Sequence, residues 1–140
     1  MEKVAAVCYR VINNSIEYLL VRTGAGRWTF PKGCVEPGEA GWSAAEREAF
    51  EEAGVKGVIF RQSLTTYLHS KKAWEGEGKE SLVQAFLLEV KKTQISEEQY
   101  RDPTWFSFSG AEAALVEGRP SKYAEELRRV LWDANRRIAK

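Results

Sequence analysis

One histidine, His69, and two cysteines, Cys8 and Cys34, are all the imidazole and thiol that this chain carries. So little excludes zinc fingers, whose sites take four Cys or His ligands. It also excludes any Ser-His-Asp or Cys-His catalyst not built on His69. Two cysteines make no disulfide framework, and a pair of reduced thiols in a cytoplasmic protein is expected. Charge of one sign is missing as well: 21 Lys and Arg face 20 Asp and Glu, a net +1. A nucleic-acid partner asks for a basic excess or a basic face, so none is expected, and any phosphate site has to be local. No apolar run reaches the roughly 20 residues of a membrane span. Met1-Glu2-Lys3-Val4 enters a strand-like run at once and has no signal-peptide layout.

What remains is an ordinary globular mix, 44% hydrophobic and 29% charged over 140 residues, which suits one domain spanning 1–140 around one core. Strands are expected at Lys3 to Val11, Glu17 to Arg22, Trp28 to Phe30, Val58 to Leu68, Ser81 to Val90 and Thr104 to Phe108, where β-formers cluster. Helices are expected at Trp42 to Ala53, stopped by Gly54, at Ala111 to Glu117, and at Lys122 to Ile138. The last carries an apolar stripe of Tyr123, Leu127, Val130, Leu131 and Ala134. Gly33 to Gly41, Lys71 to Glu80 and Lys91 to Pro103 read as loops. Mixed strands with helices for both faces indicate an α/β/α sandwich on a mixed β-sheet.

The informative segment is Gly33 to Val55. Glu48, Glu51 and Glu52 stand at i, i+3 and i+4 of one helix and share a face, away from the stripe of Trp42, Ala45, Ala49 and Ala53. Like charges four apart repel by roughly 0.2–0.5 kcal/mol per exposed pair. A solvated acidic face is one reading. The other is a divalent cation, whose preference for hard oxygen ligands removes the repulsion. The loop before the helix favours the second. Its glycines allow close approach of main chain to a ligand, Glu39 delivers a fourth carboxylate, and Lys32 supplies a cation beside the patch. Arg47, four residues before Glu51, can hold that carboxylate from the side. Cation, carboxylate cluster and glycine-rich main chain together suit a polyphosphate.

This segment resembles the Nudix box, G-x5-E-x7-R-E-U-x-E-E-x-G-U, with U a bulky aliphatic residue. Gly33, Glu39, Arg47, Glu48, Glu51, Glu52, Gly54 and Val55 hold its spacing, and Ala49 departs from it by being small. The resemblance implies a Nudix-type α/β/α sandwich and a hydrolase that cleaves a phosphoanhydride with Mg²⁺ or Mn²⁺. It implies that Glu51 and Glu52 bind metal and that Glu48 is a further ligand or the base. Gly33 would lend a backbone carbonyl, Arg47 would orient the glutamates, and Glu39 would brace the loop or face substrate. A later acidic residue often joins the metal set in this family. Glu97 and Glu98 are the candidates, Glu98 the preferred one.

The run Phe30-Pro31-Lys32-Gly33 is similar to that of members acting on diadenosine or diphosphoinositol polyphosphates, which implies that Lys32 meets phosphate. Arg22 and Arg27 can approach the same phosphates, while Lys71, Lys72 and Lys79 around Trp74 form either a lid on the distal ones or a solvated loop. His69 is assigned no role. A dinucleoside polyphosphate is the expected substrate. Oxidised nucleoside triphosphates, ADP-ribose-like nucleotide sugars and diphosphoinositol polyphosphates are its rivals. A silent Nudix-like binding module is the alternative of another class, and the intact carboxylates speak against it. An isoprenoid diphosphate isomerase would need histidines that the chain lacks. Beyond the small phosphoanhydride, the expected partner is at most a second copy of the chain, monomer or homodimer, with no membrane.

Overall fold

The computed structural model describes residues 2–70 and 80–139. Strand β1 (Lys3–Ile12) alternates strictly between two cores. Val4, Ala6 and Cys8 enter one apolar cluster, and Ala5, Val7 and Tyr9 enter the other. A strand apolar on both sides belongs at the centre of a sheet covered on both faces. Strand β2 (Ser15–Arg22) divides in the same way, with Leu19 and Val21 on one face and Tyr18 and Leu20 on the other. Between them Asn13 and Asn14 take positive φ, the asparagine turn that a two-residue hairpin demands.

The sheet runs β3 (Trp28–Thr29), β2, β1, β7 (Glu80–Thr93), β5 (Val55–Ile59). Strand β4 (Lys32–Cys34) adds to β1, β6 (Thr65–Ser70) to β7, and β8 (Thr104–Ser107) to β2. β1 and β7 pair parallel, while every other described ladder is antiparallel, so the sheet is mixed. Helix α1 (Gly41–Ala53) covers one face, and α2 (Phe108–Val116) with α3 (Ser121–Ile138) covers the other. The expected sandwich is the observed one. The stripe of α3 is buried at Leu127, Val130, Leu131 and Ala134, with Ala124 in the place expected of Tyr123. Cys8 and Cys34 are both free thiols.

Two expectations need correction. The single strand expected over Val58 to Leu68 is two strands, β5 and β6, which follow each other along the same edge of β7. Phe60 N–H still donates to Leu87 O and Leu64 N–H to Ala85 O, so the polar residues Arg61, Gln62 and Ser63 are extruded from an otherwise continuous ladder. The loop expected from Gly33 to Gly41 begins inside β4, because Gly33 pairs with Val4 and Cys34 with Lys3. Within Lys91 to Pro103, a 3₁₀ turn at Gln99–Arg101 leads to Asp102 in the left-handed region. The expected loop over Lys71 to Glu80, with Lys71, Lys72, Trp74 and Lys79, lies outside the described residues save for Glu80, which opens β7.

Helix α3 also closes one edge of the sheet. Glu126 accepts the backbone N–H of Leu68 at 2.7 Å, and Arg129 donates to the Thr66 carbonyl at 2.7 Å and to the Thr65 hydroxyl at 3.0 Å. Those groups of β6 would otherwise offer an unpaired edge to another strand.

Candidate active site

Helix α1 ends at Gly54, whose φ of 67° and N–H to Phe50 O form a left-handed stop. A Cβ there would lie 2.0 Å from Gln94 O, so the position is closed to any side chain. Ala44, Ala45, Ala49 and Ala53 are buried against the sheet. Their small volume lets the helix approach closely, and Glu52 then meets β4 rather than water. Ala49, small where a bulkier residue was expected, is fully buried in that layer.

Glu52 is 3% exposed. It accepts the Lys32 backbone N–H at 3.3 Å, and Arg101 Nε lies 3.9 Å from it. Burial pushes its carboxyl up to about 8 against the pull of Arg101 and Lys32, with the neighbouring Glu48 adding to the rise. Glu48 is raised too, first by burial. The two carboxyls face each other closely enough to share a proton. Glu48 rests directly on Gly33: a Cβ at that glycine would sit 1.9 Å from Glu48 Oε2.

Arg47 binds this group together. Its Nε and Nη2 hold both oxygens of Glu39 at 2.9 and 3.0 Å, a bidentate pair. Nη1 reaches Glu48 at 3.2 Å and Glu51 at 3.3 Å, and Nη2 also donates to the Cys34 carbonyl at 3.0 Å. The hydrogen bonds to Arg47 and to the Glu36 N–H hold the Glu39 carboxyl below the usual carboxylate range. Glu39 is therefore a brace between loop and helix. It is not among the residues that line the cleft described below.

Glu98 comes to the same place from the 3₁₀ turn. Its backbone N–H donates to Glu51 O at 3.2 Å, and its carboxylate takes Arg101 Nε and the Tyr100 hydroxyl, each at 2.8 Å. Burial works against its charge, but those two bonds hold the carboxyl below its ordinary range. Glu97 is exposed.

A cleft of about 410 Å³ opens beside Glu52 and Gly33. Lys3, Arg27, Lys32, Arg101 and Arg119 line it, and Glu52 is the carboxylate among its lining residues. Burial lowers the Lys32 ammonium to about 8, Glu52 opposing the fall and Arg119, Arg101 and Lys3 adding to it. Of the expected site residues, Gly33, Lys32, Glu39, Arg47, Glu48, Glu51 and Glu52 form one connected group. Glu98 joins through Arg101, Arg27 stands in the cleft wall, and Lys72 lies outside the described residues. Arg22 instead stacks over Trp28 and pairs with Asp102. Sequence reasoning missed Lys3, Arg101, Arg119 and Tyr67. Only Arg101, three residues after Glu98, carried a local signal.

The donor set suits a hard divalent ion: carboxylate oxygens, a carbonyl in β4, and a glycine surface against which Glu48 is pressed. Among the described residues no three carboxylate, Cys or His groups already surround one point, because Arg47 draws Glu48 and Glu51 toward itself.

Residues 1–127 match the NUDIX domain, and the chain belongs to the Nudix hydrolase family. Hydrolases of this family act on small phosphoanhydrides and generally need a divalent metal ion. A Caenorhabditis elegans bis(5'-nucleosyl)-tetraphosphatase [asymmetrical] is 33% identical over 103 residues, 71% of this chain and 72% of that protein. Its counterpart from Sus scrofa is 36% identical over 113 residues, 75% and 71% of the two chains. Diphosphoinositol polyphosphate phosphohydrolase 3-beta of Bos taurus is 44% identical over a shorter 62 residues, 43% of this chain and 37% of that one. Among solved structures, an Ap4A hydrolase of C. elegans superimposes with a TM-score of 0.74 at 27% identity, over 98% of this chain and 97% of that one. No helix of the described residues is long and apolar enough to cross a membrane.

Proposed function

We propose that this enzyme cleaves a phosphoanhydride bond of a dinucleoside polyphosphate, diadenosine tetraphosphate being the reference substrate. The cleft carries this reading: five cations surround a space that opens on Glu52 and Gly33 of the box. Such a wall suits a chain of several phosphates, because each added phosphate meets a fixed cation instead of solvent. The C. elegans and Sus scrofa tetraphosphatases point to the same substrate class.

Glu48, Glu51 and Glu52, with the Gly33 carbonyl and Glu98 as outer candidates, would hold Mg²⁺ or Mn²⁺. When bound, the ion supplies an activated water and polarises the attacked phosphoryl group. The chain's own residues do the rest. Arg47 fixes Glu39, Glu48 and Glu51 in one frame and ties that frame to β4 through the Cys34 carbonyl. Glu48, seated against Gly33 and held by Arg47, is the candidate to accept a proton from the attacking water. Lys32 and Arg101 stand beside Glu52 to neutralise phosphate oxygens. Two free thiols, one fully buried, fit the reducing cytoplasm.

The deciding experiment compares kcat/KM for diadenosine tetraphosphate and ADP-ribose, with products identified. Higher efficiency on the tetraphosphate is expected. Efficient ADP-ribose hydrolysis without dinucleoside polyphosphate turnover would overturn the substrate assignment and leave the hydrolase intact.

A further inference from the structure

Tyr67 lies mid-strand in β6, pairs with Val83 and is 1% exposed. Its hydroxyl has no hydrogen-bond partner among the described residues, yet the residue lines the cleft. A buried hydroxyl left alone is unfavourable, so such an atom in the wall of a cleft points to a visitor that completes it.

Arg119, between α2 and α3, is the second observation. One of its nitrogens donates to Leu115 O at 2.8 Å, and among the described residues no carboxylate pairs with it. Burial pulls the guanidinium down to about 10, and the nearby charge of Arg27 lowers it further. Arg27 packs against Gly118, where an added Cβ would lie 3.7 Å from its Nε. Two like charges thus stand together beside a lone hydroxyl. These side-chain groups offer donors. A recess with two cations and a phenol free to donate to a phosphate oxygen suits a compact tetrahedral anion.

We propose that Tyr67, Arg119 and Arg27 form a phosphoryl-binding subsite at the α3 end of the cleft, apart from the box glutamates. It holds a phosphate remote from the one attacked. This rests on the reading of the cleft as a polyphosphate site, so its test uses binding rather than turnover.

Inorganic tripolyphosphate is titrated calorimetrically into the full chain with chelator present, using wild type, Tyr67→Phe and Arg119→Gln. Wild type binds one equivalent, Tyr67→Phe weakens binding about tenfold, and Arg119→Gln by about thirtyfold or more. Melting without ligand leaves Tyr67→Phe as stable as wild type or more so, because the lost hydroxyl bonded nothing. No wild-type binding at millimolar anion would overturn the proposal. So would unchanged affinity in both variants, or a lower melting point for Tyr67→Phe, which means its hydroxyl is bonded within the fold. Should Arg119→Gln fail to fold, Tyr67→Phe decides alone. These outcomes stand whether or not diadenosine tetraphosphate is a substrate.

Discussion

Substituting Gly33 by alanine separates the site's chemistry from the fold's stability. The added Cβ would stand 1.9 Å from Glu48 Oε2, 2.2 Å from its Cδ and 2.8 Å from its Oε1. Ordinary contact begins at 3.4 Å, so the carboxylate has to retreat by about 1.5 Å, the difference between 3.4 and 1.9. The atom displaced is the far end of a flexible side chain, and Gly33 does not have positive φ. The ladder to Val4 uses only backbone and persists. Stability should therefore change by less than about 1 kcal/mol, a few degrees in melting temperature. Catalysis should suffer far more, since misplacing a reacting group by about 1 Å costs on the order of 100-fold. Lys92→Ala is the control, an exposed position on β7 outside both the cleft and the box. Initial rates at saturating Mg²⁺ and thermal melts on the three proteins make the assay. If Gly33→Ala keeps a kcat within about threefold of the control, Glu48 does not need its seat on Gly33 and the reasoning fails.

Glu52→Gln keeps the shape that accepts the Lys32 N–H but removes a buried charge, so the metal-free protein should melt no lower while turnover falls by at least about 1000-fold; near-normal turnover would remove Glu52 from the chemistry. A related expectation concerns pH. A carboxyl raised in the fold from 4.5 to about 8 contributes stability that is fully present below 4.5 and lost as pH rises through 8. The metal-free protein should lose on the order of 3–5 kcal/mol across that window through this pair, while Lys32, lowered to about 8, stays charged in both states over most of it. Mg²⁺ replaces the proton, so its increment in melting temperature should be larger at pH 8.5 than at pH 6; equal increments would contradict the buried pair. Lys32→Ala should lower kcat/KM for diadenosine tetraphosphate more than for ADP-ribose, and an equal loss on both would mean the lysine serves only the attacked phosphate.

The sandwich was legible because β1, β2 and β7 alternate between two apolar sets, and because Gly54 and the alanines of α1 mark one helix with one flat side. The box spacing likewise placed Gly33, Glu39, Arg47 and the three helix glutamates. Burial of Glu52 was half-legible. At 100° per residue it projects only about 20° from Ala45, so a face called acidic shares its edge with the apolar stripe. The extruded Arg61 to Ser63 was not legible, since it depends on β7 being long enough to pair two strands in succession. The cations of the cleft were hidden for a similar reason. Lys3 comes from β1, Arg27 from the loop before β3, Arg101 from the 3₁₀ turn and Arg119 from the turn before α3, so only the fold brings them together.

The clamp of α3 on β6 bears on where this domain can be cut or fused. The family match ends at residue 127, about two turns into α3 and between the clamp residues Glu126 and Arg129. A chain trimmed there would keep Glu126 on Leu68 but lose Arg129 from the Thr66 carbonyl, together with Val130, Leu131 and Ala134 from the core. The wall that carries Tyr67 would then have an open margin, and the strand beneath it could recruit a neighbour. For anyone grafting this domain, the transplantable unit includes all of α3 through Ile138, while the box, for all its density of chemistry, is not a unit that can be moved alone.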